Sequence, residues 1–284
     1  MAGELIVITG ATGQQGGATA RTLLKQGRKV RAMTRKPDAP AARELAALGA
    51  DVVRGDLDDA ASLRAALQGA WGVFGVQNTW EAGVEKEEEQ GKRLAQVARE
   101  VGVQHYVYSS VGSAHRKTGI PHFDNKFRVE EAVRGLAFPS WTILRAAFFM
   151  ENLTGGWFKP AIDQGMLAFG MAPATKLQVI AVRDIGQYGA LAFQRQADLN
   201  GKALDIAGDA LTAPEMAAII SRVAGRTVSH FQVPIEEVRK ASMDFAIMLE
   251  WFDRVGYDAD IAGNARTWGI APTRFADWAA KAAW

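Results

Sequence analysis

There is no cysteine in the 284 residues. That excludes disulfides, thiolate nucleophiles and cysteine-ligated metals, and it fits a reducing compartment; no metal site is expected. Long apolar runs are absent too. No stretch reaches the ~18 apolar residues that a membrane-spanning helix needs, and the apolar run around Phe148 is short and holds Arg145. The opening MAGELIVITG has Glu4 ahead of a very short apolar run, with neither a basic n-region nor a cleavage site, so it reads as mature structure. An excess of charge of either sign is also missing. The net charge is +2 and no basic stripe stands out, which argues against nucleic acid and an anionic membrane surface as partners. What is there, 48% hydrophobic and 23% charged residues, is the make-up of an ordinary soluble globular chain, expected in the cytoplasm. Length alone leaves one or two domains open.

The first half alternates two periodicities. Short apolar, β-branched runs lie at 5–9, 29–34, 51–54, 71–76, 104–109 and 140–144, and helical spacing fills 14–27, 39–49, 60–68, 81–101 and 122–134. That beat predicts βαβ units: an α/β fold of the doubly wound Rossmann type, a parallel sheet with helices on both faces and ligands at the carboxyl ends of its strands. After about residue 150 the rhythm breaks. Short pieces at 177–180, 203–206 and 228–233 mix with helical segments at 182–195, 212–224, 235–256 and 273–283. The expected organisation is a Rossmann domain over 1–150 and a smaller C-terminal α+β domain over 151–284 that closes a cleft; a return of 178–208 to the main sheet is left open. The charged stretch EAGVEKEEEQGKRLAQ reads as a solvated helix face with Glu88–Lys92 and Glu89–Arg93 pairs.

Between the first strand and the first helix stands GATGQQGG, with Gly10, Gly13 and Gly16 spaced G-x-x-G-x-x-G. The first glycine allows a tight turn, the second lets backbone approach a pyrophosphate, and the third lets helix and strand pack closely. A helix starting near Gln14 would aim unpaired N–H groups and a positive dipole end at the anion. At the end of the second strand, where an NAD site would carry an acid, the chain has Thr34, Arg35 and Lys36. A carboxylate would repel a 2′-phosphate, whereas Arg35 can grip it with two hydrogen bonds, so NADP(H) is preferred. Asp56 and Leu57 follow the third strand; Asp56 either accepts from an adenine amino group or caps the next helix. Gln77 and Asn78 follow the fourth, where a nicotinamide ribose would pass.

GATGQQGG, the basic TRK, HFDNK and AAFFMENL together resemble the NmrA-like family, atypical relatives of the short-chain dehydrogenases/reductases, and within it the redox-sensor type. The resemblance runs over nearly the whole chain, including TWE after the fourth strand, LTAPEMAAIISRVAGR and the Trp-containing end. It implies an NADP(H)-binding Rossmann domain with a smaller C-terminal domain. It also implies cofactor contacts at Gly10, Ala11, Thr12, Gly13, Gln14 and Gln15, at Arg35, Asp56, Leu57, Gln77, Asn78 and Lys126, and along Phe149–Asn152, with Asn152 on the cofactor amide. The chain departs from the sensor's pattern at Gln77 and Thr79.

Catalytic short-chain dehydrogenases carry Tyr-x-x-x-Lys, whereas HFDNK places Lys126 at the lysine position and His122 at the tyrosine's. None of the four tyrosines (Tyr106, Tyr108, Tyr188, Tyr257) stands four residues before a lysine. Ser109 and Ser110 end the fifth strand as the dehydrogenase serine would. His122 could supply a proton, although Lys126 beside it favours the neutral imidazole; Lys126 itself is expected on the ribose. Acceptors whose reduced form is a stabilised anion need less proton help, and the resemblance implies that some relatives reduce quinones or activated double bonds with only the lysine. Two functions follow: an NADP(H)-binding redox sensor or regulator with weak or specialised reductase activity and a protein partner, or an NADPH-dependent reductase of quinones or similar small acceptors. Monomer and homodimer both fit.

Overall fold

The structure is a computed structural model, described here for residues 3–284. In chain order its strands are β1 (Leu5–Ile8), β2 (Lys29–Thr34), β3 (Asp51–Arg54), β4 (Gly72–Gly75), β5 (His105–Val111), β6 (Ser140–Ala146), β7 (Phe148–Phe149), β8 (Met166–Phe169), β9 (Lys176–Ile180), β10 (Lys202–Ile206), β11 (Asp209–Thr212) and β12 (Ser229–Gln232). The helices are α1 (Gln14–Lys25), α2 (Pro40–Ala47), α3 (Ala60–Leu67), α4 (Thr79–Ala82), α5 (Val84–Glu100), α6 (Pro121–Gly135), α7 (Lys159–Asp163), α8 (Val182–Gln194), α9 (Gln196–Leu199), α10 (Ala213–Ala224), α11 (Ile235–Ala241), α12 (Met243–Arg254), α13 (Ile261–Trp268) and α14 (Phe275–Ala279).

Seven strands form one wholly parallel sheet in the order β10-β6-β5-β4-β1-β2-β3. Both faces of β1 are covered, which is why LIVI is an unbroken apolar run rather than an alternating one. Ile6 and Ile8 pack with Leu23 of α1, Leu45 of α2 and Ile185 and Phe193 of α8. Val7 points the other way, among Leu63 of α3, Leu94 of α5 and Val129 of α6. Each such side chain, fully buried, contributes about 1.5–3 kcal/mol relative to exposure. The strand order reverses between β1 and β4, so the crevice for a ligand opens at their carboxyl ends. Arg145, the charge inside the apolar β6, is satisfied where it lies: its guanidinium donates to both oxygens of the buried Glu130 (2.9 and 2.7 Å) and to Asp205 of β10 (3.3 Å).

Around a second core lie a three-stranded sheet, β11-β9-β7, and the parallel pair β12-β8. Phe148, Phe169, Leu177, Met216, Leu249 and Phe275 fill it. Glu151 ties this region to α8 and to the chain's end: its carboxylate accepts from the Val182 backbone N–H (3.0 Å) and the Trp278 indole (3.1 Å).

Several elements differ from the pattern in the sequence. The predicted helix over 81–101 is two helices, parted at Gly83 (φ +84°). The predicted helix over 235–256 breaks at Ser242, whose extended backbone lets its hydroxyl cap α12 by accepting from the Phe245 N–H (3.2 Å). Helix α13 lies where none was predicted, and 273–283 yields only the five residues of α14. Of the two predicted ion pairs on α5, Glu88–Lys92 forms at 2.5 Å. Arg93 instead reaches the Leu57 carbonyl (2.8 Å) and Asp58 (3.6 Å), leaving Glu89 aside.

Candidate functional site

A cleft of about 850 Å³ opens at the carboxyl ends of the central strands, within the range of small-molecule sites. One wall is the glycine turn. Gly10 sits at φ +56°, and a Cβ there would lie 2.8 Å from Val76 Cγ1. A Cβ at Gly16 would collide with the Gly10 carbonyl oxygen and lie 2.5 Å from that of Thr9. Thr9 locks this turn to β4: its hydroxyl donates to the Val76 carbonyl (3.0 Å) and accepts the Val76 N–H (2.9 Å). Helix α1 begins at Gln14 and its N-cap, Gly13, offers no side chain. The N–H groups of Gln14, Gln15 and Gly16 find no acceptor among the described residues, as the first turn of a helix dictates.

Of the residues anticipated for the cofactor, Gly10, Thr12, Gly13, Gln14, Gln15 and Gly16 of the turn, Arg35 and Lys36 after β2, Asp56 and Leu57 after β3, Gln77 and Asn78 after β4, Lys126, Phe149 and Asn152 line this one cleft, whereas Ala11 and, within Phe149–Asn152, Met150 and Glu151 do not. Ala11 is buried against the core. Asp56 is not a helix cap. Asp59 takes that role, accepting from the Ala61 N–H at 2.9 Å, while Asp56 accepts from the Asp58 N–H at 3.0 Å. Gln77 is buried, yet neither its amide nitrogen nor its amide oxygen has a partner among the described residues; Asn78 caps α4 through the Trp80 N–H at 3.2 Å.

Three groups at the cleft carry partners that spacing alone did not reveal. The carboxylate of Glu87, on the stretch read as a solvated face, is buried and holds Lys126 Nζ, the Thr79 hydroxyl and Asn125 Nδ2 (2.9 Å). Burial pushes its pKa up, but Lys126, Thr79 and Asn125 together hold it below the ordinary carboxylate value. His122 is gripped by Asp244 of α12, which takes the ring Nδ1 and also the His122 backbone N–H (3.1 Å). Lys126 thus turns to Glu87, and the side chain in contact with the imidazole is Asp244. Nε2 has no hydrogen-bond partner among the described residues. Arg35 pairs with Glu81 of α4, and that hydrogen bond, against slight burial, raises the guanidinium pKa.

Aromatic side chains wall the far end. Trp80 and Phe245 line it, Trp80 at 5.2 Å from the His122 ring; the exposed Trp157 lies outside the lining, 6.3 Å from Trp80 and 6.1 Å from Phe245. Tyr257 from the C-terminal region also lines the cleft, stacked at 6.1 Å on Phe123. Tyr106 and Tyr108 are fully buried on β5. Ser109 donates to Gln15 Oε1 and Ser110 to Glu130 Oε1, each at 2.6 Å.

Fold and site define a doubly wound α/β protein with a glycine-turn anion cradle at its switch point. The chain belongs to the NmrA-like family, whose family model matches residues 2–278. Among curated relatives it is 39% identical over 159 residues to an "NmrA-like family domain-containing oxidoreductase" of Aspergillus hancockii, an alignment taking in 52% of the chain and 48% of the relative. The chain thus spans about half of that relative's length. Among solved structures it is similar to an NADPH-dependent quinone oxidoreductase from Escherichia coli (25% identity, TM-score 0.78, 97% of this chain and 98% of that one). It also shares the fold of NmrA, a negative transcriptional regulator in complex with NAD (22% identity, TM-score 0.82, 99% and 95%). Among the described residues no helix is long and apolar enough to cross a membrane.

Proposed function

We propose that the chain binds NADP(H) in this cleft and uses it to reduce flat, conjugated acceptors of the quinone class. The observation that carries the reading is continuity: one cleft joins the glycine turn and Arg35 at one end to His122 and an aromatic wall at the other. The residues fit the cofactor. Three unpaired N–H groups at the start of α1 suit a pyrophosphate. The guanidinium of Arg35 suits a 2′-phosphate. The partnerless amide of Gln77 at the carboxyl edge of β4 suits the polar edge of a nicotinamide ribose. Lys126, Phe149 and Asn152 would complete the nicotinamide end.

When bound, NADPH supplies a hydride. The rest falls to the protein. Reduction of a quinone to a hydroquinone takes that hydride and one proton, so a single donor closes the balance. His122 would give it: Asp244 holds the ring through Nδ1, which leaves Nε2 as the donor. A positioned acid is worth roughly a hundred- to ten-thousand-fold, and an acceptor whose anion is delocalised needs the lower part of that range. Trp80, Phe245 and Tyr257, which line the cleft, offer apolar faces to a planar ring.

A second reading, an NADP(H)-responsive sensor or regulator that acts through a protein partner, is favoured by one observation: no tyrosine stands on α6, and Tyr106 and Tyr108 lie buried in the core. Following NADPH oxidation by absorbance over quinones, nitroaromatics and aldehydes separates the two. The reductase reading expects turnover with quinones that falls about a hundredfold in His122→Gln while NADPH still binds. Tight NADPH binding with flat traces across the panel leaves the sensor.

A further inference from the structure

Three consecutive residues of α4 each hold a different working group of the cleft. Thr79 donates to Glu87, which holds Lys126. Trp80 packs on His122 at 5.2 Å between ring centroids. Glu81 accepts from Arg35. A four-residue helix between Asn78 and Gly83 thus touches both ends of the site at once.

We propose that Glu81 is a specificity-determining residue: its carboxylate competes with a 2′-phosphate for Arg35, and its displacement shifts Trp80 against His122. This rests on the NADP(H) reading above. The Arg35–Glu81 pair is well exposed on both sides (57% and 53%), and such pairs are weak and screened by salt. A dianionic phosphate offers the guanidinium more charge and a two-point contact, so it prevails. An unphosphorylated ribose offers only hydroxyls and leaves the pair closed. Glu81 also adds a third carboxylate to a neighbourhood that already holds Asp56 and Asp58, of which Asp58 is engaged by Lys86 at 2.9 Å. Removing its charge relieves repulsion on an incoming phosphate as well as freeing Arg35. Because Trp80 precedes Glu81 on the same four-residue helix, a shift of that helix on release of Glu81 is felt at the substrate end before any nicotinamide is in place.

The test uses the intact protein, with adenosine 2′,5′-bisphosphate and ADP as probes that lack nicotinamide, alongside NADPH and NADH. In the unmodified protein the bisphosphate changes tryptophan fluorescence and ADP does not, and Trp80→Phe abolishes the change. Glu81→Gln tightens NADPH and the bisphosphate by about two- to fivefold, leaves NADH and ADP within error, and shows little fluorescence response because its latch is already open. NADPH binding that is unchanged or weakened in Glu81→Gln, with normal binding in the parent, overturns the latch and leaves the NADP(H) reading standing. Failure of both NADPH and the bisphosphate to bind the parent overturns that reading, and the latch with it.

Discussion

Lys126 is the residue where role and stability are hardest to separate. It is the one cation among the described residues that touches the buried Glu87 carboxylate, so Lys126→Ala strands a charge in the interior. Breaking one side of a buried pair costs about 3–5 kcal/mol; Thr79 and Asn125 remain on Glu87, which puts the expected loss at about 2–3 kcal/mol by urea titration. The double variant Lys126→Met/Glu87→Gln should recover most of that stability without recovering turnover, which isolates the proposed ribose contact from the fold. Glu87 also predicts an acid limb. Its folded pKa lies below its unfolded one, so its contribution is fully present above the ordinary carboxylate value of about 4.3 and is lost as pH falls through the folded value. Glu87→Gln should therefore lose less stability than the parent as pH falls from about 5 through the folded value. Equal losses would show that Glu87 is not the group responsible. Burial raises Glu151 and Asp184, and these act with the opposite sign, their penalty easing on acidification. For cofactor choice, Arg35→Asp should weaken NADPH by about tenfold or more, the size of a charge-assisted contact, and NADH hardly at all. Most of the cleft's lining was legible because the strand-end positions of a doubly wound sheet fall at fixed places in the chain. Asp244 and Tyr257 were not: they lie more than a hundred residues beyond HFDNK, and no local spacing couples them to it. Glu87 was hidden by its neighbours, since one buried carboxylate in VEKEEEQGKR carries no mark among the exposed ones.

At the level of elements, the glycine turn and α1 are set by how closely helix and strand approach. Gly16→Ala forces a methyl group onto the carbonyls of Thr9 and Gly10, so α1 must retreat from β1. The expected cost is about 1–3 kcal/mol in a denaturant melt, together with a larger proportional loss of NADPH affinity, because the same shift moves the N–H groups of Gln14, Gln15 and Gly16. Normal stability and affinity would mean that the turn is looser than its geometry implies. The strands and helices of the first half were readable for a physical reason: buried parallel strands are short apolar blocks, and crossover helices show a full 3.6-residue stripe. The second half was less so. Its strands β7, β8 and β11 have two to four residues and do not alternate with full crossover helices as the equally short β1, β3 and β4 do. The break at Ser242 depends on a single hydroxyl caught between two stretches that both have helical spacing. By contrast Thr212 and Glu215 announce α10 in the sequence and form a full capping box.

For the whole molecule, the late strand β10 completes the sheet beside β6, and Asp205 on it accepts from Arg145 and from the Ser113 N–H (2.6 Å). Chain beyond residue 200 therefore buttresses the same strand ends that frame the cleft, and Asp244, Phe245 and Tyr257 close its far side. Occupancy should accordingly stabilise the fold as a unit. At a hundred times its dissociation constant, a ligand specific for the native state adds about 2.7 kcal/mol, so NADPH should raise the melting temperature by several degrees and Arg35→Asp should remove most of that gain. The claim that everything else leans on is that this cleft holds a nicotinamide dinucleotide bearing the extra phosphate. Isothermal titration of the purified chain with NADPH and with NADH tests it directly. The structure predicts saturable one-site heat with NADPH and weaker binding of NADH; no heat with NADPH, or NADH binding the more tightly of the two, would contradict it.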